Sequence, residues 1–200
     1  MGTNARTHCP EYVKPALAVL ALSLLLTLAA CSAQPTAPPA GPQAKGEPIT
    51  FTLQSPAFGE GDTIPRRYTC EGEDVSPELR WQDAPANAQS FALIMDDPDA
   101  PSRTFTHWVL FDIPSDRTSL SEGLPAGDIG TAGQNGFGTA GYGGPCPPPG
   151  HGPHRYFFTL YALDTDTLNL SSGTSRAEVE QALKGHVIGQ AQLMGRYERK

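Results

Sequence analysis

Three side chains that could bind an anion or transfer a proton stand together at the end of a glycine- and proline-rich run. Residues 142–156 read YGGPCPPPGHGPHRY, and the run ends in His154, Arg155 and Tyr156, where an apolar segment begins. Proline lacks an amide donor and glycine loses much entropy on ordering, so the run cannot be the interior of a helix or a central strand. A loop that delivers such groups to the end of a strand is typical of a binding site, although a purely structural loop fits it equally well.

A second polar cluster follows another apolar segment. Asp96 directly follows the strand-like run 91–95, Asp97 and Asp99 then flank Pro98, and His107 comes shortly afterwards. Buried carboxylates are costly without partners, so these two must face water or accept hydrogen bonds. They could orient an imidazole or a ligand cation, or they could cap a turn beside the proline.

Three motifs that would indicate other chemistry lack the context they need. Residues 136–141 fit the G-x-G-x-x-G pattern of dinucleotide sites, but the Tyr-Gly-Gly-Pro that follows cannot begin a helix. His151 and His154 have H-x-x-H spacing, but the glycine and proline between them prevent the helix of a zinc site. Asp97 and Asp99 lack the glycine and distal glutamate of a calcium loop. We therefore predict no metal site and no cofactor.

The composition argues against one large class of partner. The chain of 200 residues has a net charge of −7 and contains no basic run. Because neutralisation of phosphates by basic side chains supplies most non-specific affinity for nucleic acids, we predict no nucleic-acid binding. Any contact with a phosphate must then be confined to a pocket.

The elements that would position these groups are mostly strands. Apolar segments with β-branched or aromatic residues predict strands at 49–53, 79–81, 90–95, 105–113, 156–163 and 186–197. Ser175 and Glu178 form a capping box, and Gly185 stands at a stop position, which together predict one helix late in the chain. The glycine-rich stretch 127–152 is predicted to be irregular. We therefore predict a mainly β fold.

The N-terminal residues are predicted to be a targeting segment. An uncharged, leucine-rich stretch ends at Ala30 and is followed by Cys31. Residues 1–30 are typical of a signal peptide, and the Leu-Ala-Ala-Cys ending resembles the bacterial lipobox, in which the cysteine carries the lipid. An ordinary signal peptide or an uncleaved anchor are the alternatives. Residues 31–48, rich in proline and alanine, are predicted to be a tether to a domain at 49–200.

Two cysteines remain in the predicted domain. In an exported protein an even pair permits a disulfide, and we hypothesise that Cys70 and Cys146 are bonded. The alternative is two separate buried thiols.

Four sequence boxes occur in a fixed order along the chain. Together they resemble the phosphatidylethanolamine-binding protein family, and most closely its bacterial and archaeal Raf kinase inhibitor-like branch, from about residue 49 to 197. The boxes are YTCEGEDVSPELRW at 68–81, DPDAP at 97–101, HWVLF at 107–111 and the run at 141–156. This resemblance implies a large antiparallel sheet packed on a smaller sheet, with a short helix near the end.

The resemblance also implies a small cavity that takes anions such as phosphate or acetate. Its implied ligand-binding residues are Asp97, Asp99, His107, His154 and Tyr156, with Tyr142, Gly144 and Pro148 shaping the wall. Imidazoles can donate to a phosphate and become charged in doing so. Strand alternation points Arg155 to the opposite face from its two neighbours, so we predict that Arg155 is an ion-pair partner.

A binding function is the one that the resemblance implies. We expect a non-catalytic, extracytoplasmic protein for a small anion or a phosphorylated headgroup, held in the bacterial cell envelope by a lipid anchor and facing the periplasm or the cell surface. Some family members modulate protein partners, so modulation of a protease is the alternative. A hydrolase that uses carboxylate and imidazole as general acid and base is a third possibility, without a G-x-S-x-G motif to support it.

Overall fold

The computed structural model describes residues 48–200, which contain nine strands, one α-helix and one 3-10 turn. In chain order these are β1 Ile49–Thr50, β2 Thr52–Gln54, the 3-10 turn Arg66–Tyr68, β3 Leu79–Gln82, β4 Ser90–Asp97, β5 Phe105–Pro114, β6 Ser119–Leu120, β7 Thr131–Ala132, β8 His154–Leu163, α1 Arg176–Leu183 and β9 Val187–Tyr197. The predicted signal peptide 1–30, the lipidation site Cys31 and nearly all of the predicted tether 31–48 lie outside the described residues.

The strands form two sheets. The larger sheet has the order β1-β9-β8-β4-β5-β7, and the smaller has the order β2-β3-β6. All neighbouring strands are antiparallel except β1 and β9, so the larger sheet is mixed, whereas a fully antiparallel one was expected. The strand predicted at 49–53 is divided at Phe51, where the chain leaves the larger sheet and joins the smaller one. One extended segment thus supplies an edge strand to each sheet.

The main hydrophobic core lies between the two sheets. Successive side chains of a strand point to opposite faces, and Phe91, Leu93 and Met95 of β4 point toward the smaller sheet. Phe91 meets Trp81 of β3 with ring centroids 5.4 Å apart. Burial of each such side chain contributes about 1.5–3 kcal/mol. The same alternation places Asp97, the last residue of β4, on the core face of the larger sheet.

The opposite face of the larger sheet is covered in part by α1. Ile94 of β4 packs there with Val179 and Leu183 of the helix. The helix begins at the predicted capping box: Ser175 accepts a hydrogen bond from the Glu178 amide, and the Glu178 carboxylate accepts one from the Ser175 amide. The predicted late helix is therefore confirmed.

Candidate functional site

A cavity of about 180 Å³ opens where three strands of the larger sheet begin or end. Because β4 runs antiparallel to both β5 and β8, its last residue lies beside the first residues of its two neighbours. The cavity is lined by Asp97, Ala100, Pro101, Phe105, His107, Phe137, Cys146, Pro147, Pro148 and His154. Sheet topology therefore brings together the aspartate and both histidines that the sequence singled out.

His154 and Asp97 form a buried pair in this cavity. Nδ1 of His154 lies 2.7 Å from Oδ2 of Asp97, and each side chain is 4% exposed. Since a carboxylate only accepts, Nδ1 carries the proton, and the Nε2 nitrogen remains for a ligand. The other oxygen of Asp97 accepts the Asp99 amide at 2.8 Å. Asp97 thus orients an imidazole and also caps the turn beside Pro98.

His107 reaches the cavity because β5 contains a bulge. The pairing of β4 with β5 shifts by one residue between Met95 and Asp96, which leaves His107 without a partner across the sheet. In a regular strand His107 would share a face with Val109, which packs in the cluster beneath α1. The bulge turns His107 to the core face, where its ring meets that of Tyr156 edge-on at 5.2 Å.

The environment of His107 favours the neutral ring. Its Nδ1 donates to the carbonyl oxygen of Gly143 at 2.8 Å. Burial lowers the pKa of His107 below its usual 6.5, and the Gly143 carbonyl and the charge of Asp97 only partly oppose this effect. At neutral pH the Nε2 nitrogen of His107 is therefore an acceptor.

Tyr156 lies beside His107 with an unsatisfied hydroxyl. The side chain is fully buried and is not one of the residues that line the cavity, and its hydroxyl has no hydrogen-bond partner among residues 48–200. Burial, and after it the nearby carboxylate of Asp97, raises the pKa of Tyr156 well above its usual value, although the hydroxyl does not have hydrogen-bond geometry toward that carboxylate. The hydroxyl therefore keeps its proton and remains a donor without an acceptor.

Asp99 does not line the cavity, because Arg155 occupies its carboxylate. Nε and Nη2 of Arg155 donate to the two oxygens of Asp99 at 2.8 and 2.7 Å, and the Arg155 amide donates at 2.9 Å. These hydrogen bonds hold the pKa of Asp99 at about 2. The ion pair predicted for Arg155 is present, and the structure gives Asp99 the role of clamping the turn to the start of β8.

The predicted wall residues are divided between the lining and the layer behind it. Pro148 lines the cavity, whereas the Tyr142 hydroxyl donates to the carbonyl oxygen of Tyr68 at 2.6 Å. The Gly144 amide donates to Asp74 at 2.7 Å, and a Cβ at Gly144 would lie 2.4 Å from the same Tyr68 oxygen. Tyr142 and Gly144 therefore hold the loop in place from behind and do not contact the cavity.

A disulfide joins Cys70 to Cys146 in the cavity wall. It links the segment after the 3-10 turn to the glycine- and proline-rich loop across a sequence separation of 76. The Cys70 amide also donates to the Pro145 carbonyl at 3.2 Å, so backbone and side chain tie the same two segments. The loop that carries His154 is thereby anchored to the rest of the domain.

The sequence reasoning missed the apolar part of the lining. Phe105 and Phe137 contribute aromatic rings, and Ala100, Pro101 and Pro147 complete the wall. One feature of the sequence could have indicated this apolar lining: Phe137 is a large apolar residue within a stretch of glycine and polar residues.

A larger groove of about 600 Å³ lies along β2 and β9, away from these groups. Its lining has one ionisable residue, Glu60, which is exposed. The smaller cavity is the better candidate because it collects buried titratable side chains. In residues 48–200 no cluster of histidine, cysteine and acidic residues has a metal-binding arrangement. Over the same residues, no helix combines the length and apolarity needed to cross a bilayer.

Comparison with protein families decides the relationship of this chain. The family model described as phosphatidylethanolamine-binding protein matches residues 54–198. The chain belongs to the phosphatidylethanolamine-binding protein family. The matched range contains every residue of the cavity and both cysteines of the disulfide, so the family predicted from the four sequence boxes is confirmed.

Comparison of this chain with individual proteins supports the same family assignment. It is 54% identical over 153 residues to a UPF0098 protein of Methanothermobacter thermautotrophicus, with 74% of this chain and 99% of the relative covered. It is 40% identical over 158 residues to the candidate lipoprotein LppC of Mycobacterium tuberculosis, with 78% and 76% covered. The solved structure of the candidate phosphatidylethanolamine-binding protein homologue CT736 of Chlamydia trachomatis matches with a TM-score of 0.70 at 37% identity, covering 76% of this chain and 99% of that one.

Proposed function

We propose that this family member is a non-catalytic binding protein whose cavity holds a small anion or a phosphorylated headgroup. Two groups of the lining would contact the ligand, Nε2 of His107 and Nε2 of His154, and the buried hydroxyl of Tyr156 would donate to it from behind the lining. We further propose that the protein is extracytoplasmic and is anchored in the cell envelope by a lipid on Cys31.

The unsatisfied hydroxyl of Tyr156 is the observation that carries the proposal. A buried hydroxyl without a hydrogen bond costs about 1–3 kcal/mol, and buried polar groups of this kind are rare in native structures. Its ring packs against that of His107, which lines the cavity. A ligand oxygen that accepts from this hydroxyl would remove the cost.

The two imidazoles suit an oxyanion because their Nδ1 atoms are already engaged. His154 donates to a carboxylate and His107 to a carbonyl, so each ring presents Nε2 to a ligand. A neutral ring accepts a hydrogen bond from a protonated phosphate oxygen, and a protonated ring donates one to a charged oxygen.

The lining supports a binding function over a hydrolytic one. None of its ten residues carries an aliphatic hydroxyl, its cysteine, Cys146, is in a disulfide, and both oxygens of Asp97 accept hydrogen bonds, one of them from His154. Covalent catalysis needs an activated nucleophile next to a base. We expect p-nitrophenyl phosphate to be hydrolysed no faster with the purified protein than with its His154→Ala variant.

Thermal denaturation in increasing inorganic phosphate tests the anion pocket. The melting temperature should rise with ligand as RT ln(1 + [L]/Kd), and His107→Ala or His154→Ala should abolish the rise. His186→Ala is the matched control, because His186 is also paired with an aspartate but is half-exposed outside the cavity. If phosphate leaves the melting temperature unchanged, the pocket is refuted and the protein-partner alternative becomes the leading one.

The lipid anchor is tested separately from the pocket. The similarity to LppC supports it, as does the position of Cys31 at the end of the apolar segment. Cells grown with labelled palmitate should label the protein, and Cys31→Ser should remove the label and release the protein from the membrane fraction. An unlabelled protein would contradict the anchor.

A further inference from the structure

The candidate cavity has a polar floor and an apolar rim. Asp97, His107 and His154 are each 3% exposed and form the floor. The lining residues nearer to solvent are the disulfide-bonded Cys146 and five apolar residues, Ala100, Pro101, Phe105, Phe137 and Pro148. No lysine or arginine belongs to the lining. A ligand therefore meets polar groups only at its inner end.

Phe137 is the most exposed aromatic group of this rim. Its side chain is 51% exposed, and Ile49 is the other large apolar residue of the described chain with comparable exposure. The Phe137 ring lies edge-on to Phe105 at 4.8 Å and to His107 at 5.6 Å. Phe137 thus stands between the histidine of the floor and the solvent.

The loop that carries Phe137 is held in one conformation by Asn135. The Asn135 side chain is buried and makes four hydrogen bonds: its oxygen accepts from the amides of Phe137 and Thr139 and from the Thr139 hydroxyl, and its nitrogen donates to the Gly141 carbonyl. The Gly136 amide donates to the carbonyl of Thr106 in β5 at 2.7 Å. An exposed ring on so well ordered a loop is presented to solvent at a defined place.

Two glycines make room for the aromatic pair. A Cβ at Gly143 would lie 2.6 Å from the Phe137 ring, and a Cβ at Gly136 would lie 2.6 Å from the Phe105 ring. Both contacts are too close for any side chain larger than hydrogen. Each ring therefore packs directly against the backbone of a glycine, and this packing holds both rings at the rim.

The cavity is too small to enclose a substituent on the bound anion, so any substituent must extend over this rim. About 180 Å³ is below the ~300 Å³ at which pockets for drug-sized ligands begin. An anionic group fills the floor, so the group attached to it must leave over the rim, where Phe105 and Phe137 pack against each other with ring centroids 4.8 Å apart. An apolar substituent gains binding free energy there because it covers the two rings. A hydroxylated substituent loses binding free energy because its hydroxyl groups exchange water for an apolar surface.

We propose that Phe137, supported by Phe105, selects phosphate monoesters with an alkyl or aryl substituent over inorganic phosphate and over esters of polyols. This inference rests on the proposed anion pocket and adds the class of ligand that it takes. The floor binds the phosphoryl oxygens, and the rim contacts the first carbon atoms of the substituent.

Isothermal titration calorimetry with four probes tests this selectivity on the purified protein. The probes are phenyl phosphate, butyl phosphate, glycerol 3-phosphate and inorganic phosphate. We expect the first two to bind about 3- to 10-fold more tightly than the last two, the effect of one well-placed apolar contact. Phe137→Ala should remove this preference, measured as the ratio of the affinities for phenyl phosphate and inorganic phosphate within the same variant.

Ile49→Ala is the matched control, because it also removes an exposed apolar side chain, at the far edge of the larger sheet. It should keep the preference of the unaltered protein. Equal affinities for all four probes, or an equal loss for every probe in Phe137→Ala, would overturn the inference while leaving the anion pocket intact. If none of the probes binds, both the inference and the proposed function fail.

Discussion

Nδ1 of His154 lies 2.7 Å from the carboxylate of Asp97, although the two residues are 57 positions apart in the chain. The contact joins the last residue of β4 to the first residue of β8, two strands that are neighbours in the larger sheet. Asp99, two residues after Asp97, and Arg155, directly after His154, repeat the connection on the outside with a forked ion pair. Two consecutive links therefore fix the position of the histidine in the cavity.

Asp97→Asn should weaken phosphate binding by about tenfold, equivalent to one hydrogen bond to a charged group. One oxygen of Asp97 accepts from Nδ1 of His154 and the other accepts from the Asp99 amide, whereas an asparagine has a single oxygen and can accept only one of these bonds. The variant therefore holds the ring of His154 less firmly in its orientation toward the ligand. Calorimetric titration of phosphate measures the loss.

The matched control for Asp97→Asn is Asp164→Asn. Asp164 also bonds Nδ1 of a histidine, His186, at 2.8 Å, but this pair is on the surface. The control should leave phosphate binding unchanged. Unchanged binding in Asp97→Asn, or an equal loss in Asp164→Asn, would show that Asp97 does not orient His154 for the ligand.

The low pKa of His107 predicts a pH-dependent stability. As pH falls below 6.5, the unfolded chain binds a proton at His107 before the folded protein does, so the unfolding free energy decreases. His107→Gln cannot titrate, and its amide can still donate to the Gly143 carbonyl. The unfolding free energy of the unaltered protein minus that of the variant should therefore decrease as the pH falls from 7 to 5. Urea unfolding of both proteins measures this difference. A constant difference would contradict a lowered pKa at His107.

Removal of the disulfide should destabilise the protein and open the cavity wall. For a loop of 76 residues the chain-entropy model gives about 4 kcal/mol. The Cys70→Ser/Cys146→Ser double variant should lose about this much unfolding free energy, and it should bind phosphate more weakly because Cys146 lines the cavity. Alkylation followed by mass mapping gives the complementary test: labelling of either thiol in the native, unreduced protein would refute the bond.

Asn135→Ala should disrupt the rim of the cavity. The substitution removes four side-chain hydrogen bonds from a buried position and should cost about 2–4 kcal/mol of unfolding free energy. Gln134→Ala is the neighbouring control, since Gln134 is exposed and donates one long hydrogen bond of 3.3 Å to the same loop. It should change stability by less than about 0.5 kcal/mol. Similar losses in both variants would show that Asn135 does not organise the loop.

Local signals in the sequence were sufficient for most of the regular elements. The predicted strands at 90–95, 105–113, 156–163 and 186–197 correspond to β4, β5, β8 and β9, because side-chain alternation and strand composition are properties of neighbouring residues. The capping box located the start of the helix for the same reason. The two-residue strands β6 and β7 were not predicted, since a pair of residues has no periodicity to read.

The sequence by itself determined the family, through four motifs in a fixed order, and named the aspartate and both histidines of the candidate site. Their common location was decided by pairing between distant strands, which no local pattern encodes. His107 shows the difference: strict alternation assigns it to the face beneath α1, and only the bulge opposite Met95 and Asp96 turns it into the cavity. The aromatic rim has the same origin, because Phe105 and Phe137 meet only when the loop of Asn135 packs on β5.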